Sequence, residues 1–130
     1  MSYLFYSFPD VGFLKAVPQP LQHLAIKEMA DNLKGKISFY GTELPETIKN
    51  QEILEYQLDR LKNEDGIIFF SLRQFFYSGN LNIKLINKAH KMKLDLFFAR
   101  ENFNLKHQTS KNDILMLIAH NNHYKSQIII

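Results

Sequence analysis

The chain has 130 residues, of which 45% are hydrophobic and 22% are charged, which is the composition of an ordinary folded domain. A chain of this length can bury roughly two thirds of the surface that its unfolded form exposes, so we expect a single domain over residues 1–130. The absence of cysteine excludes disulfides, thiolate metal sites and a cysteine nucleophile. The net charge of +3 is spread along the sequence, a pattern that does not favour nucleic-acid binding.

The sequence indicates neither a signal peptide nor a membrane span. It does not open with a basic segment followed by an apolar one, and its longest apolar runs fall far short of about twenty residues. We therefore expect a cytoplasmic protein that does not insert into a membrane. The five histidines form no HExxH pattern and no i, i+4 pair, so no metal site is predicted. No cofactor is predicted either.

Apolar strands and amphipathic helices alternate along the chain. Short apolar runs bounded by turn residues predict the strands, and apolar residues at helical spacing predict the helices between them. In chain order we predict a strand at residues 2–7, a loop at 8–19, a helix from about 21 to 34, a strand at 36–40, a helix at about 50–61, a strand at 67–70, a helix at 80–93, a strand at 94–99 and a last helix at about 111–124. This order predicts an α/β fold in three layers, with a mainly parallel four-stranded sheet flanked by helices.

Parallel strands bring the residues that follow them to one edge of the sheet, which is where ligands bind in such folds. Hydroxyls, carboxylates and cations follow several of the predicted strands, and these groups suit a hydroxylated or phosphorylated ligand. The candidate catalytic residues are Glu43, Glu101 and Ser7, and the candidate ligand-binding residues are Lys15, Gln19, Gln22, Ser71 and Arg73. The wider set of polar residues near the strand ends includes Asp10 and Arg100. Because polar residues end strands in any α/β protein, each residue taken alone also fits an ordinary surface role.

Four stretches of the sequence resemble a known protein family. They are YLFYS at 3–7, VPQPLQHLAIKEMA at 17–30, DGIIFFSL at 65–72 and LFFARE at 96–101. Together, over about residues 3–105, they are similar to the sporadic carbohydrate cluster family, small proteins encoded in bacterial surface-polysaccharide loci. The resemblance implies a role in the biosynthesis of a glycan such as lipopolysaccharide or capsule. It does not imply a particular reaction.

A more distant likeness is to the catalytic domain of serine recombinases. Tyr3 and Ser7 match the ends of the motif in its first strand, and a later apolar strand resembles its third. The arginines of that family are replaced here, with Phe5, Gln74 and Tyr77 at their positions. A serine that attacks a phosphodiester needs cations around the phosphate. The likeness therefore implies a resolvase-like or flavodoxin-like fold without recombinase activity.

Three functions remain open. The first is an enzyme that binds or modifies a sugar nucleotide, a sugar phosphate or a glycan precursor, with Glu43 or Glu101 as acid or base. The second is a noncatalytic assembly partner of polysaccharide enzymes that uses the aromatic residues 75–77 as an interface, although this run would equally fit the end of the core or a homodimer contact. The third is a degenerate resolvase-like nucleic-acid protein, which the scattered lysines disfavour.

Overall fold

The computed structural model describes residues 3–61 and 63–107, which form an α/β fold. The strands are β1 (Tyr3–Phe8), β2 (Gly35–Tyr40), β3 (Gly66–Phe69), β4 (Asp95–Phe98) and β5 (Phe103–Leu105). The α-helices are α1 (Gln19–Asn32), α2 (Glu52–Leu58) and α3 (Ile83–Lys91), and short 3-10 helices cover Val11–Phe13 and Leu72–Phe75. None of these helices is long and apolar enough to cross a membrane.

The five strands form one sheet in the order β2-β1-β3-β4-β5. The first four strands in the sequence run parallel, as predicted, whereas β5 pairs antiparallel with β4. The expected four-stranded sheet is therefore corrected to a mixed sheet of five strands. β5 is only three residues long and follows a tight turn in which Asn102 has a φ of 50°. So short a strand has too few apolar residues to show an alternating pattern in the sequence.

Apolar side chains cover both faces of the sheet, as is usual for parallel strands. Adjacent residues of β3 point to opposite faces, so the continuous apolar run that begins at Gly66 is buried on both sides. One cluster contains side chains of α2 and α3 together with Tyr6, Phe8, Ile67, Phe69, Leu96 and Phe98 of the sheet. The other contains Ile26 and Ala30 of α1 together with Phe5, Ile68 and Phe97 of the sheet. The helices thus lie on both sides of the sheet.

The helix boundaries differ slightly from those predicted. α1 starts two residues early, at Gln19, because Pro18 and Pro20 fit the start of a helix, where a missing N–H costs no intrahelical bond. α2 is shorter than predicted, since Gln51 before it adopts a left-handed conformation with a φ of 52°. The helix predicted at about 111–124 lies outside the described residues.

Candidate functional site

The chain leaves β1 and β3, which are neighbours in the sheet, towards opposite faces. β1 leads to α1 on one face, and β3 leads to α3 on the other. In open α/β sheets this divergence creates a crevice beyond the carboxyl ends of the strands, where ligands bind. We call the residues around this point the rim: Asp10, Phe13, Ser71, Arg73, Tyr77, Arg100 and Glu101.

Asp10 is the buried carboxylate of the rim, with only 1% of its surface exposed. The Tyr77 hydroxyl donates to both of its carboxylate oxygens, at 2.8 and 2.9 Å, and the Gly12 N–H donates to one of them at 3.0 Å. Burial raises the pKa of Asp10 to about 6, although these hydrogen bonds and the nearby charge of Arg73 lower it. The rim therefore contains a carboxyl group that titrates near neutral pH.

Two buried glutamine side chains hold the backbone around Asp10. The Oε1 of Gln22 accepts the N–H of Asp10 at 2.6 Å, and its Nε2 donates to the carbonyls of Asp10 and Val17, each at 3.0 Å. The Nε2 of Gln74 donates to the carbonyls of the two residues that precede Asp10, at 3.1 and 3.3 Å. These bonds satisfy backbone groups that a loop would otherwise leave unpaired. Gln22, a predicted ligand-binding residue, thus stabilises the loop.

Ser71 and Glu101, two predicted site residues, are in direct contact. The Ser71 hydroxyl donates to Oε2 of Glu101 at 3.0 Å, and Oε1 of Glu101 accepts the Leu72 N–H at 3.0 Å. The Ser71 Oγ also accepts the Arg73 N–H at 3.1 Å, which caps the short 3-10 helix that follows β3. The end of β3 is in this way linked to the end of β4, as expected for neighbouring parallel strands.

Two of the three arginines in the chain share one aromatic ring at the rim. The Cζ of Arg73 lies 4.4 Å from the centroid of the Phe13 ring, and the Cζ of Arg100 lies 4.7 Å from the same centroid. Within the described part of the chain neither arginine forms an ion pair with a carboxylate, and Nε of Arg73 is buried without a hydrogen-bond partner. Guanidinium groups in this state are suited to bind a phosphate or a carboxylate.

Two of the three predicted catalytic residues are buried in structural positions. Both carboxylate oxygens of Glu43 accept backbone N–H groups at the start of α2, from Ile53 at 3.0 Å and from Leu54 at 2.8 Å. Burial raises the pKa of Glu43 above its ordinary value. Ser7 lies inside β1, opposite Ile68 of β3, and its hydroxyl has no hydrogen-bond partner among the described residues.

The space enclosed beside the rim is small. It has a volume of about 10 Å³ and is lined by residues that include Asp10, Glu43, Gln74 and Tyr77. A cavity of that size holds at most about one water molecule. Outside this cavity, Arg100 and the predicted Lys15 are both exposed to solvent. Gln19, also predicted and also exposed, has its Nε2 3.2 Å from Nε2 of His23.

Sequence reasoning did not select Phe13 and Tyr77 as site residues. For residues 75–77 it left open an exposed aromatic interface, a homodimer contact and the end of the core, and in the structure Phe75 and Phe76 are only 1% and 3% exposed and lie in the core. The structure thus shows Phe75 and Phe76 closing the core after β3, while Tyr77 is partly buried at the rim. Asp10 was already in the wider set of polar residues near the strand ends, and it follows Pro9 directly after β1.

Over residues 3–61 and 63–107, no three His, Asp or Glu side chains are placed to hold a metal ion together. Comparisons with protein-family models, curated proteins and solved structures find no match to this chain. The candidate site is accordingly defined by its geometry, in which two arginines and two carboxylates meet beyond the ends of β1, β3 and β4.

Proposed function

We propose that the chain binds an anionic carbohydrate precursor, such as a sugar nucleotide or a sugar phosphate, at the rim. The observation that carries this proposal is the pair of guanidinium groups, Arg73 and Arg100, that share the Phe13 ring and form no ion pair with a carboxylate among the described residues. Stacking on the ring orients both planar groups, and an oriented arginine can bind phosphate oxygens through two parallel hydrogen bonds.

The position of the arginines supports the same proposal. The strand order β2-β1-β3-β4-β5 is that of flavodoxin-like folds, apart from the antiparallel β5, and in those folds the ligand binds at the switch point between β1 and β3. We therefore assign the chain a three-layer, flavodoxin-like or resolvase-like fold. Arg73 follows β3 and Arg100 follows β4, which places both cations at the edge where such folds bind phosphorylated ligands.

The resemblance to sporadic carbohydrate cluster proteins supplies the biological setting. Together with the rim, it supports a role in the biosynthesis of lipopolysaccharide or capsule, carried out in the cytoplasm. Binding explains the site better than catalysis does, because the carboxylates of Glu43 and Glu101 are engaged with backbone N–H groups.

Thermal unfolding in the presence of nucleotide sugars, sugar phosphates and inorganic phosphate tests the proposal. A ligand at 100 times its Kd adds about 2.7 kcal/mol to the free energy of unfolding, which raises the Tm by several degrees. Arg100→Ala should remove this increase because the exposed guanidinium is lost. Arg60→Ala is the matched control, since Arg60 also lies over a ring, that of Tyr56 at 5.4 Å, but just after α2 and away from the rim residues. No increase with any anion, or the same increase in both variants, would contradict the proposal.

A second candidate function, assembly with polysaccharide enzymes or with a second copy of the chain, is favoured by a different surface. Phe39 and Tyr40 of β2 are 57% and 60% exposed, and Leu21 and Leu24 of α1 are 56% and 64% exposed. β2 is also an edge strand of the described sheet, so backbone groups on one of its sides are available for pairing. Apolar residues beside a free edge are typical of protein–protein contacts.

Size-exclusion chromatography separates the candidates. Phe39→Glu should dissociate a dimer or release a bound enzyme without changing the response of the Tm to anions, if the two surfaces are independent. Salt-sensitive retention of DNA that Arg73→Ala and Arg100→Ala abolish, together with no response to sugar ligands, would instead favour the nucleic-acid alternative.

A further inference from the structure

The carboxylate of Asp10 is connected to the arginines of the rim through the side chain of Tyr77. The Tyr77 hydroxyl donates to Asp10, and the Cζ of Arg73 lies 5.9 Å from the centroid of the Tyr77 ring. Arg73 in turn shares the Phe13 ring with Arg100. Within residues 3–61 and 63–107, no ion pair joins Asp10 to either arginine. The charge of Arg73 nevertheless lowers the pKa of Asp10, so these two groups interact through space.

Titratable or charged side chains face Asp10 from the segment after β3, from the end of β4 and from the loop after β2. They are Arg73, Tyr77, Glu101 and Glu43. The charge of Glu101 raises the pKa of Asp10, whereas Tyr77 stays neutral at pH 7 because burial raises its own pKa. α1 contributes the neutral amide of Gln22. Among these groups, Asp10 and Glu43 are the carboxyls whose pKa is raised by burial.

The charges of the rim cancel when both of its carboxylates are ionised. Arg73 and Arg100 carry the positive charges, and Asp10 and Glu101 carry the negative ones. A proton on Asp10 leaves the two arginines in excess over the one remaining carboxylate. Because Asp10 is buried, solvent screens its charge less than that of an exposed side chain. An anion at the arginines is therefore repelled by ionised Asp10 and not by its neutral form.

We propose that an anion binds at the rim together with a proton, and that the carboxylate of Asp10 is the group that takes up this proton. The inference rests on the anion site proposed above and assigns that site a dependence on pH. Such coupling is reciprocal, so a neutral Asp10 strengthens anion binding by the same factor by which a bound anion favours the neutral carboxyl. Solvent supplies the proton, and the ionisation of the ligand is not involved.

The direction of the effect follows from the pKa of Asp10, which burial raises to about 6 in the free protein. A bound anion raises this pKa further, because it brings a negative charge towards the carboxylate. Binding then takes up protons between about pH 5 and pH 7.5, and the affinity falls as the pH rises through that range. For a coupling near the lower end of the range known in proteins, the Kd should be about four-fold larger at pH 7.5 than at pH 5.

Calorimetric titration of the full chain with sodium sulfate and with UDP-glucose, at pH 5, 6 and 7.5, tests the proposal. Sulfate and a diphosphate esterified at both ends keep their charge over this range, whereas a phosphate monoester loses a proton near pH 6. Asp10→Asn keeps the residue neutral at every pH. This variant should bind at pH 7.5 about four-fold more tightly than the unmodified protein, a gain that damage to the fold would not produce. Its Kd should no longer change with pH.

His23→Gln is the matched control, because an imidazole also changes its charge in this pH range. His23 lies on α1, where its ring centroid is 5.2 Å from that of Tyr40, and it is not a rim residue. The control should keep the dependence of the Kd on pH that the unmodified protein shows. A dependence that Asp10→Asn retains, or that His23→Gln removes, would overturn the assignment of the proton to Asp10.

Titrations at pH 6.3 in buffers with different heats of ionisation count the protons directly. We expect an uptake of about 0.3–0.4 of a proton per anion in the unmodified protein and none in Asp10→Asn. Tyr77→Phe removes a hydrogen bond that lowers the pKa of Asp10, so it should move the fall in affinity to higher pH, and it serves as the test if Asp10→Asn does not fold.

The outcomes separate this inference from the proposed function. Anion binding with the same Kd at every pH and without proton uptake would overturn the inference and leave the anion site intact. An unchanged pH dependence in Tyr77→Phe would also overturn it. If neither sulfate nor UDP-glucose bound at any pH, both the anion site and its coupling to Asp10 would be wrong.

Discussion

The hydroxyl of Tyr77 donates to both carboxylate oxygens of Asp10, joining residues that are 67 positions apart in the sequence. This contact connects the loop after β1 to the segment after β3, the two places where the chain diverges to opposite faces of the sheet. Burial raises the pKa of both groups, to about 6 for Asp10 and further above the ordinary value for Tyr77, so at pH 7 the pair is mainly a carboxylate beside a neutral phenol. Together with the hydrogen bonds from Gln74 to the carbonyls of Phe8 and Pro9, this contact holds the two diverging segments against each other.

Tyr77→Phe should lower the free energy of unfolding by about 1–3 kcal/mol, because it removes a donor from a buried carboxylate. Urea unfolding at pH 7 measures the loss. Tyr56→Phe is the matched control, since the Tyr56 hydroxyl is exposed and only accepts from Nη1 of Arg60 at 3.0 Å. We expect that control to change stability by less than about 0.5 kcal/mol. If both variants lost the same free energy of unfolding, the contact with Asp10 would contribute no more to stability than an exposed hydroxyl does.

Asp10 should make the protein more stable in mild acid than at neutral pH. Since burial raises its pKa from 3.8 to about 6, the folded chain keeps a proton between these pH values that the unfolded chain releases. The folded state then binds more protons, so stability decreases as the pH rises through that range, by on the order of 2–3 kcal/mol. Urea unfolding at fixed ionic strength between pH 4 and pH 7 measures this slope.

Asp10→Asn isolates the effect, because an amide does not ionise in that range. The slope of stability against pH should be shallower in this variant than in the unmodified protein. Burial also raises the pKa of Glu43, which contributes a slope of the same sign, but that residue is present in both proteins and cancels in the difference. Identical slopes would mean that Asp10 titrates at its ordinary pKa.

Replacement by alanine should change the stability of the fold in opposite directions at the two buried serines, which lie near the ends of neighbouring strands. Ser7→Ala removes a hydroxyl that has no partner in the described part of the chain, so it should stabilise the fold by roughly 0.5–1 kcal/mol. Ser71→Ala breaks the hydrogen bonds to Glu101 and to the Arg73 N–H, so it should destabilise the fold by about 1–2 kcal/mol. Thermal unfolding of both variants measures these changes in stability. If both substitutions changed stability in the same direction, the roles given to the two hydroxyls would be wrong.

Glu43→Ala should destabilise the protein by about 1–3 kcal/mol, because Ile53 and Leu54 lose the acceptor for their backbone N–H groups. Glu46→Ala, at an exposed position on the same loop, is the control and should be nearly neutral. Unfolding in urea measures both. If Glu43→Ala instead left stability unchanged while abolishing a measured reaction, the catalytic hypothesis for this residue would be favoured over its capping role.

The elements that sequence reasoning recovered are those with a clear local pattern. Local sequence alone indicates β3, through the apolar run that begins at Gly66, and it indicates α1 and α3 through their periodic apolar residues. All three elements lie close to their predicted positions. β5 was not predicted because a strand of three residues is too short to show an alternation of apolar and polar residues. For Phe75 the sequence left an interface and the end of the core as alternatives, because an aromatic run after a strand has the same local sequence in both cases, and the structure shows the core.

The site was less accessible to sequence reasoning than the fold, because its contacts join distant parts of the chain. Ser71 and Glu101 were selected since each follows an apolar strand, and the parallel arrangement of β3 and β4 brings them together. The roles of Phe13 and Tyr77 depend on how the loop after β1 folds back over the sheet. No hydrophobic periodicity or sequence motif indicates how this loop folds. The contact of both arginines with one aromatic ring can therefore be seen only in the structure.

The two edges of the described sheet are unequal, since β2 has six residues and β5 has three. If two molecules paired through their β2 strands about a two-fold axis, both of the longer edges would be covered. The assembly would then be a closed dimer. Joining β2 of one molecule to β5 of the next would repeat without end and produce a fibre. The short β5 offers too few backbone partners to sustain such a chain of molecules, so the architecture itself limits uncontrolled polymerisation.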